Sequence, residues 1–283
     1  MIEISQNNLI IKKLLTIVFL FLSLTMFSHG DLTARIEQKT KEISLAPENF
    51  ELYFERGLLY QQHIEYYKAL DDYNISKKLG NSSQALYYRI SEVYYLTEDF
   101  TNALESISPC IELKTPDVKA KKLQARILFN LKDYKQSLDA YQEFITNVID
   151  LKPEDVLEYC DIILAENSSN YNTALNIIES GLEQIGVNTL SLQLKKLDYL
   201  KASNQTEKAL EQYNYFILEY KRKEFWYYKK AKYLATLNKT QEANICLKLA
   251  TVTIEQLDVK FKNMKSIIKL KQQIKTLETS LNN

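Results

Sequence analysis

The chain has 283 residues, and its 36 Lys+Arg balance 36 Asp+Glu. With only 5 Gly and 4 Pro, it argues against a β-sandwich or barrel, which needs a turn signal every ~8–12 residues, and against glycine-rich phosphate loops. His29 and His63 are its two histidines, which removes most triad, proton-shuttle and His-ligated metal chemistry. Hydrophobic residues make up 46% and charged residues 25%, the balance of a folded globular chain rather than a disordered one.

Residues 1–30 read as a secretory signal peptide. Lys12-Lys13 is followed by the nearly unbroken apolar run Leu14–Phe27, and then by Ser28-His29-Gly30 before a cut after Gly30. That is the charged, apolar, small-residue order of an export signal. The run is shorter than the roughly 17–25 residues of a membrane span. The alternative is an uncleaved signal anchor. Either way the chain is expected to be exported, to a periplasmic or extracellular location, from a bacterium.

Asp31–Pro47 follows as a lone amphipathic helix, closed by Ser44-Leu45-Ala46-Pro47. A phrase then recurs: an aromatic, two residues, Ala or Ser, Leu. It reads Tyr66-Tyr67-Lys68-Ala69-Leu70, Phe100-Thr101-Asn102-Ala103-Leu104, Tyr134-Lys135-Gln136-Ser137-Leu138 and Tyr171-Asn172-Thr173-Ala174-Leu175. Weaker copies centre on Ala209 and Ala243. The apolar residues of each unit recur at helical spacing. Gly57, Ser91 and Ala125 lack bulk where a preceding helix would cross closely. The fourth and fifth copies carry Ile162 and Leu197 instead.

A period near 34 with helical patterning resembles the tetratricopeptide repeat. Tyr53, Gly57, Tyr60, Ala69 and Tyr73 carry the likeness most fully; Pro116 and Pro153 close the second and third copies. The resemblance implies an all-α, right-handed superhelical solenoid of about six helix–turn–helix repeats. The expected layout is a capping helix over 31–49, the array over 50–253, and a Lys-rich capping helix over 254–283. That last segment reads as one long helix over about Ile254–Leu281, with Phe261, Met264, Ile267 and Ile268 on its apolar face. Pro109 should kink or end its helix, Gly181 should weaken its own, and the insertion before Pro153 should bring irregularity.

Charge is uneven: residues 221–283 carry 14 Lys+Arg against 5 Asp+Glu. This marks either a solvated helix face or a partner-binding end. Cys110, Cys160 and Cys246 are an odd set with no Cys-x-x-Cys pair, and read as buried free thiols. Asp71-Asp72 and Glu98-Asp99 read as exposed or capping carboxylates, and Glu154-Asp155 as the first turn of a helix. No nucleotide, hydrolase, metalloprotease or calcium motif occurs. No catalytic role, cofactor or metal is therefore expected, nor a small-molecule substrate. The acidic body argues against nucleic acid.

The family resemblance implies a scaffold or adaptor that binds a protein or peptide along the first helices of its repeats. By register that groove would be lined by Phe54, Leu58, Tyr88, Glu92, Tyr95, Lys119, Lys122, Arg126, Phe129, Tyr159 and Ile163, with Tyr228 and Lys232 from the last copy. The Lys–Asn clamp of chaperone-binding members is absent or heavily altered, since Phe54, Leu58, Tyr88 and Glu92 stand at its places. The alternative is a structural or assembly subunit acting through its basic C-terminal helix. Membrane contact is expected only through an uncleaved signal segment or that helix.

Overall fold

The computed structural model describes residues 31–112 and 117–282, all of whose regular structure is helical. The signal peptide expected over 1–30, and Pro116, lie outside the described residues. The chain divides into two compact units between Ile149 and Asp150, within the insertion between the third and fourth repeats.

The first unit opens with helix α1, residues 31–45. Three helix pairs follow: α2 (Phe50–Gln62) with α3 (Tyr66–Lys78), α4 (Gln84–Leu96) with α5 (Phe100–Ile111), and α6 (Val118–Asn130) with α7 (Tyr134–Asn147). Side-chain caps start most of them. Asn49, Ser83, Asp99, Asp117 and Asp133 each accept a backbone N–H of the following first turn, satisfying donors that a helix start leaves open. α1 is tied to α2 where Arg56 Nη1 donates to Thr40 Oγ1 at 3.1 Å and Lys39 meets Glu55 at 2.6 Å.

The second unit holds α8 (Pro153–Glu166) with α9 (Tyr171–Ile185), α10 (Leu190–Ala202) with α11 (Thr206–Glu219), and α12 (Lys223–Thr236) with α13 (Thr240–Glu255). A four-residue turn α14 (Val259–Lys262) and α15 (Lys265–Asn282) close it. Pro153 begins α8, where its missing N–H costs nothing, and Asp155 accepts from Lys152 N at 3.0 Å. Phe216 and Trp226 stack at 4.0 Å to join α11 and α12.

The small residues set how close each pair comes. Ala69, Ala103, Ser137, Ala174, Ala209 and Ala243 are all fully buried. Ser91 Oγ donates to Ala103 O at 2.7 Å, and Ser137 Oγ to Ala125 O at 2.8 Å. A Cβ on Gly57 would lie 2.5 Å from the Tyr73 ring. The turn between paired helices also repeats. Ile64, Glu98, Lys132, Asn204 and Asn238 take left-handed φ values of 65°, 62°, 64°, 56° and 58°, so one position carries the reversal in every pair except α8–α9.

Three expectations need correction. The C-terminal segment is not one long helix, because α13 runs on through Ile254 to Glu255 and the chain turns before α15. Only Ile267, Leu270 and Ile274 of α15 are buried, against Ala243, Leu247, Ala250 and Ile254, while Phe261, Met264 and Ile268 stay exposed. Gly181 lies inside the continuous α9, where a Cβ would meet Val156 at 2.8 Å, so the glycine admits a close crossing of α8. Asp72 is not an exposed carboxylate but is buried on Arg56. Pro109 sits in the last turn of α5, which ends two residues later at Ile111. The three cysteines are buried free thiols.

Candidate functional site

Bulk at one position accompanies a looser helix pair. Gly57, Ser91, Ala125 and Ala231 allow α2–α3, α4–α5, α6–α7 and α12–α13 to pack along their lengths. Leu197 stands at the same place in α10, and a leucine side chain cannot fit where a serine hydroxyl sits 2.7 Å from the facing carbonyl. The α10–α11 pair meets over a much shorter stretch than those four, and α8–α9, where Cys160 rather than Ile162 faces the Ala174 carbonyl at 3.5 Å, is intermediate. Both bulky side chains are buried.

The space beside α10 is a cleft of 1160 Å³ bounded by α9, α10 and α11. Its apolar floor includes Leu175 and Leu200, and its walls carry five amide side chains: Asn172, Asn176, Gln193, Gln205 and Gln212. These fall at helical spacing, Asn172 and Asn176 on α9, Gln193 on α10 and Gln212 on α11. Two lysines, Lys196 and Lys208, and two glutamates, Glu179 and Glu211, complete the rim.

The inner amides are fixed. Gln212 Nε2 donates to Gln193 Oε1 at 2.6 Å, and Gln193 Nε2 donates to Val187 O at 2.6 Å. Both glutamines are buried, so this relay holds α11 to α10 and to the turn before it. Gln205 Nε2 donates to Asn172 Oδ1 at 3.0 Å. The Tyr215 hydroxyl lies 2.5 Å from Asn188 Oδ1, and burial raises its pKa above the usual phenol value. Lys196 pairs with Glu179 at 3.2 Å.

The outer groups are uncommitted. Asn176, Lys208 and Glu211 have no side-chain partner among the described residues. A side-chain amide both donates and accepts, the same pair of functions a peptide backbone presents at each residue. The cleft therefore offers hydrogen bonds of both kinds over an apolar floor with no net charge on its rim.

The sequence-derived groove is only partly assembled. Phe54 and Leu58 on α2, Tyr88, Glu92 and Tyr95 on α4, and Lys119, Lys122, Arg126 and Phe129 on α6 share the first unit, at matching repeat positions. Many are engaged within the fold. Glu92 accepts from Gln61 at 2.7 Å and Arg89 at 2.6 Å. Lys122 lies over the Phe144 ring at 5.1 Å. Phe54 packs on Tyr73, Tyr95 on Phe100, and Phe129 on Tyr134. Burial raises the Tyr88 phenol.

Tyr159, Ile163, Tyr228 and Lys232 belong to the second unit. Tyr159 and Ile163 are buried in α8 and line no open surface, which corrects that part of the expectation. Tyr228 is half-buried and Lys232 exposed on α12. The amide cleft escaped sequence reading because asparagine and glutamine at helical spacing form no motif. The signal nearest to it was Leu197, a large residue where Gly57, Ser91, Ala125 and Ala231 are small. Among the described residues, no group of His, Cys, Asp and Glu is placed to hold a metal ion.

Among solved structures, a tetratricopeptide repeat protein from Parabacteroides merdae aligns over 90% of this chain and 93% of its own, with TM-score 0.53 and 14% identity. The fold is that of the tetratricopeptide-repeat proteins. The C-terminal part of such a protein from Cytophaga hutchinsonii aligns over 86% of this chain and 96% of its own, with TM-score 0.63 and 16% identity. YrrB, described as a tetratricopeptide-repeat protein with an unusual peptide-binding site, covers 64% of this chain and 92% of its own, with TM-score 0.53 and 20% identity. No protein-family model and no curated protein matches the sequence. In tetratricopeptide-repeat terms, α2–α13 are six helix pairs, with α1 tied to α2 in the first unit and α15 packed on α13 in the second.

Proposed function

We propose that this chain is an exported, non-catalytic interaction scaffold that holds an extended polypeptide segment in the cleft between α9, α10 and α11. The observation that carries this reading is the lining of that cleft: an apolar floor, an uncommitted Asn176 beside four amides held within the fold, and a balanced rim. Backbone recognition by amides is indifferent to side-chain identity, so Lys208 and Glu211 would supply what selectivity there is. Peptide binding by a protein of the same fold, YrrB, supports the class of ligand. Export rests on the residue order of 1–30.

A random peptide library displayed on phage tests the site. Binders selected on the wild-type chain should lose at least tenfold in affinity on Asn176→Leu with Lys208→Ala, and keep it on Tyr88→Ala with Arg126→Ala. The opposite pattern would move the site to the α2, α4 and α6 face. That face is the second reading, favoured by its repeat-spaced Phe54, Tyr88 and Lys122. Mass spectrometry of the protein recovered from its own cells tests export: cleavage after Gly30 makes Asp31 the first residue.

A further inference from the structure

We propose that residues 259–282 dock the protein peripherally on an anionic phospholipid surface. The end of the second unit has two apolar sets, and the fold uses only one. Ile267, Leu270 and Ile274 cover α13. Val259, Phe261, Met264 and Ile268 remain 72%, 38%, 42% and 48% exposed. They are not scattered. Asn263 N donates to Val259 O, Met264 N to Phe261 O at 3.1 Å and Ile268 N to Met264 O at 3.0 Å, so Phe261, Met264 and Ile268 follow one another on successive turns.

Six lysines share the segment with them: Lys260, Lys262, Lys265, Lys269, Lys271 and Lys275, against the single acid Glu278. None of the six forms a salt bridge among the described residues, whereas Lys195, Lys196 and Lys239 of the same unit all do. Lys260 lies over the Phe261 ring at 5.6 Å.

The chemistry selects the surface. An acidic protein partner would answer the charge, but it leaves the exposed apolar cluster unexplained. Carboxylate recognition at defined points also favours the planar fork of arginine, and this segment contains none. Mobile ammonium groups suit a diffuse array of lipid phosphates, and apolar side chains among them suit the headgroup–acyl boundary. No described helix is long and apolar enough to cross a membrane, so the contact is superficial.

The test uses the full chain with Met264→Cys carrying an environment-sensitive NBD fluorophore; the native thiols are buried. A label there reports this segment alone, whatever residues 1–30 do. With vesicles of 30% phosphatidylglycerol in phosphatidylcholine, its emission should rise and shift to the blue. The change should be absent with pure phosphatidylcholine and reversed by 0.5 M NaCl. Adding Lys265→Gln, Lys269→Gln and Lys271→Gln should weaken vesicle affinity roughly 100-fold with unchanged far-UV circular dichroism. No spectral change with anionic vesicles, or an equal change in the glutamine variant, overturns the proposal. A response to poly-glutamate but not to anionic vesicles overturns it in favour of an acidic protein.

Discussion

Arg56 grips Asp72 through two parallel hydrogen bonds, Nε to Oδ2 at 2.8 Å and Nη2 to Oδ1 at 2.7 Å, and so bolts α2 to α3. Tyr53 and Tyr60 flank the guanidinium at 5.8 Å each, and the nearby carboxylate raises its pKa. Asp72→Ala leaves the partly buried cation without its partner and should cost about 3 kcal/mol. Arg56→Met with Asp72→Leu removes both charges and should recover most of that loss. Urea unfolding of the three variants measures it; equal losses in the single and double variants would contradict this account.

Gly57 should resist even one added carbon. Its Cβ would lie 2.5 Å and 2.7 Å from two atoms of the fully buried Tyr73 ring and 3.3 Å from Ala69 O. Alanine gains about 1 kcal/mol of helix propensity, but overpacking costs about 1–3 kcal/mol. A net destabilisation of about 1 kcal/mol is expected for Gly57→Ala by urea unfolding.

Ile64 should be improvable. It holds a left-handed φ of 65° with its side chain mostly in solvent, a conformation that costs a β-branched residue about 1–2 kcal/mol. The repeats of α10–α11 and α12–α13 place Asn204 and Asn238 at this turn. Ile64→Asn should stabilise the chain by about 1 kcal/mol, read as a rise in the urea midpoint.

Alkali should weaken the fold before acid chemistry enters. Burial pushes the Cys110 thiol up to about 11, the Cys160 thiol up to about 12 and the Tyr213 phenol up to about 12. An unfolded thiol ionises near 9 and an unfolded phenol near 10, so above pH 9 the unfolded chain releases protons that the folded chain keeps. Stability from these groups is complete below pH 9 and falls as pH rises towards 12. The urea midpoint should drop between pH 9 and 11. Ellman's reagent at pH 8 should reach these thiols only in urea.

Truncation after Asn263 removes α15 and uncovers Leu247, Ala250 and Ile254. Hydrogen exchange should then quicken in α12 and α13 but not in α2 and α3, because repeat stacks are stabilised by nearest neighbours. Unchanged protection in α13 would show that α15 is no cap.

The repeat was legible because its cause is local. Each of the six small residues spaced about 34 apart is buried without remainder, since steric demand at a helix crossing leaves its mark at a fixed position. Asp72 was not legible: its burial depends on Arg56, 16 residues away. The amide cleft depends on side chains from three helices, and none of them is unusual by itself. The C-terminal break was hidden because Ile254 and Ile267 both carry apolar pattern, one as the end of α13 and one as the cover laid back upon it.

In chain order, the crossing positions 57, 91, 125, 160, 197 and 231 are Gly, Ser, Ala, Cys, Leu and Ala. Each governs the gap of its own pair, and each pair answers chiefly to adjoining helices. One codon can therefore loosen or tighten one pair while the others keep their packing. Such an architecture lets ligand preference drift during evolution by single steps, without any intermediate having to abandon its fold.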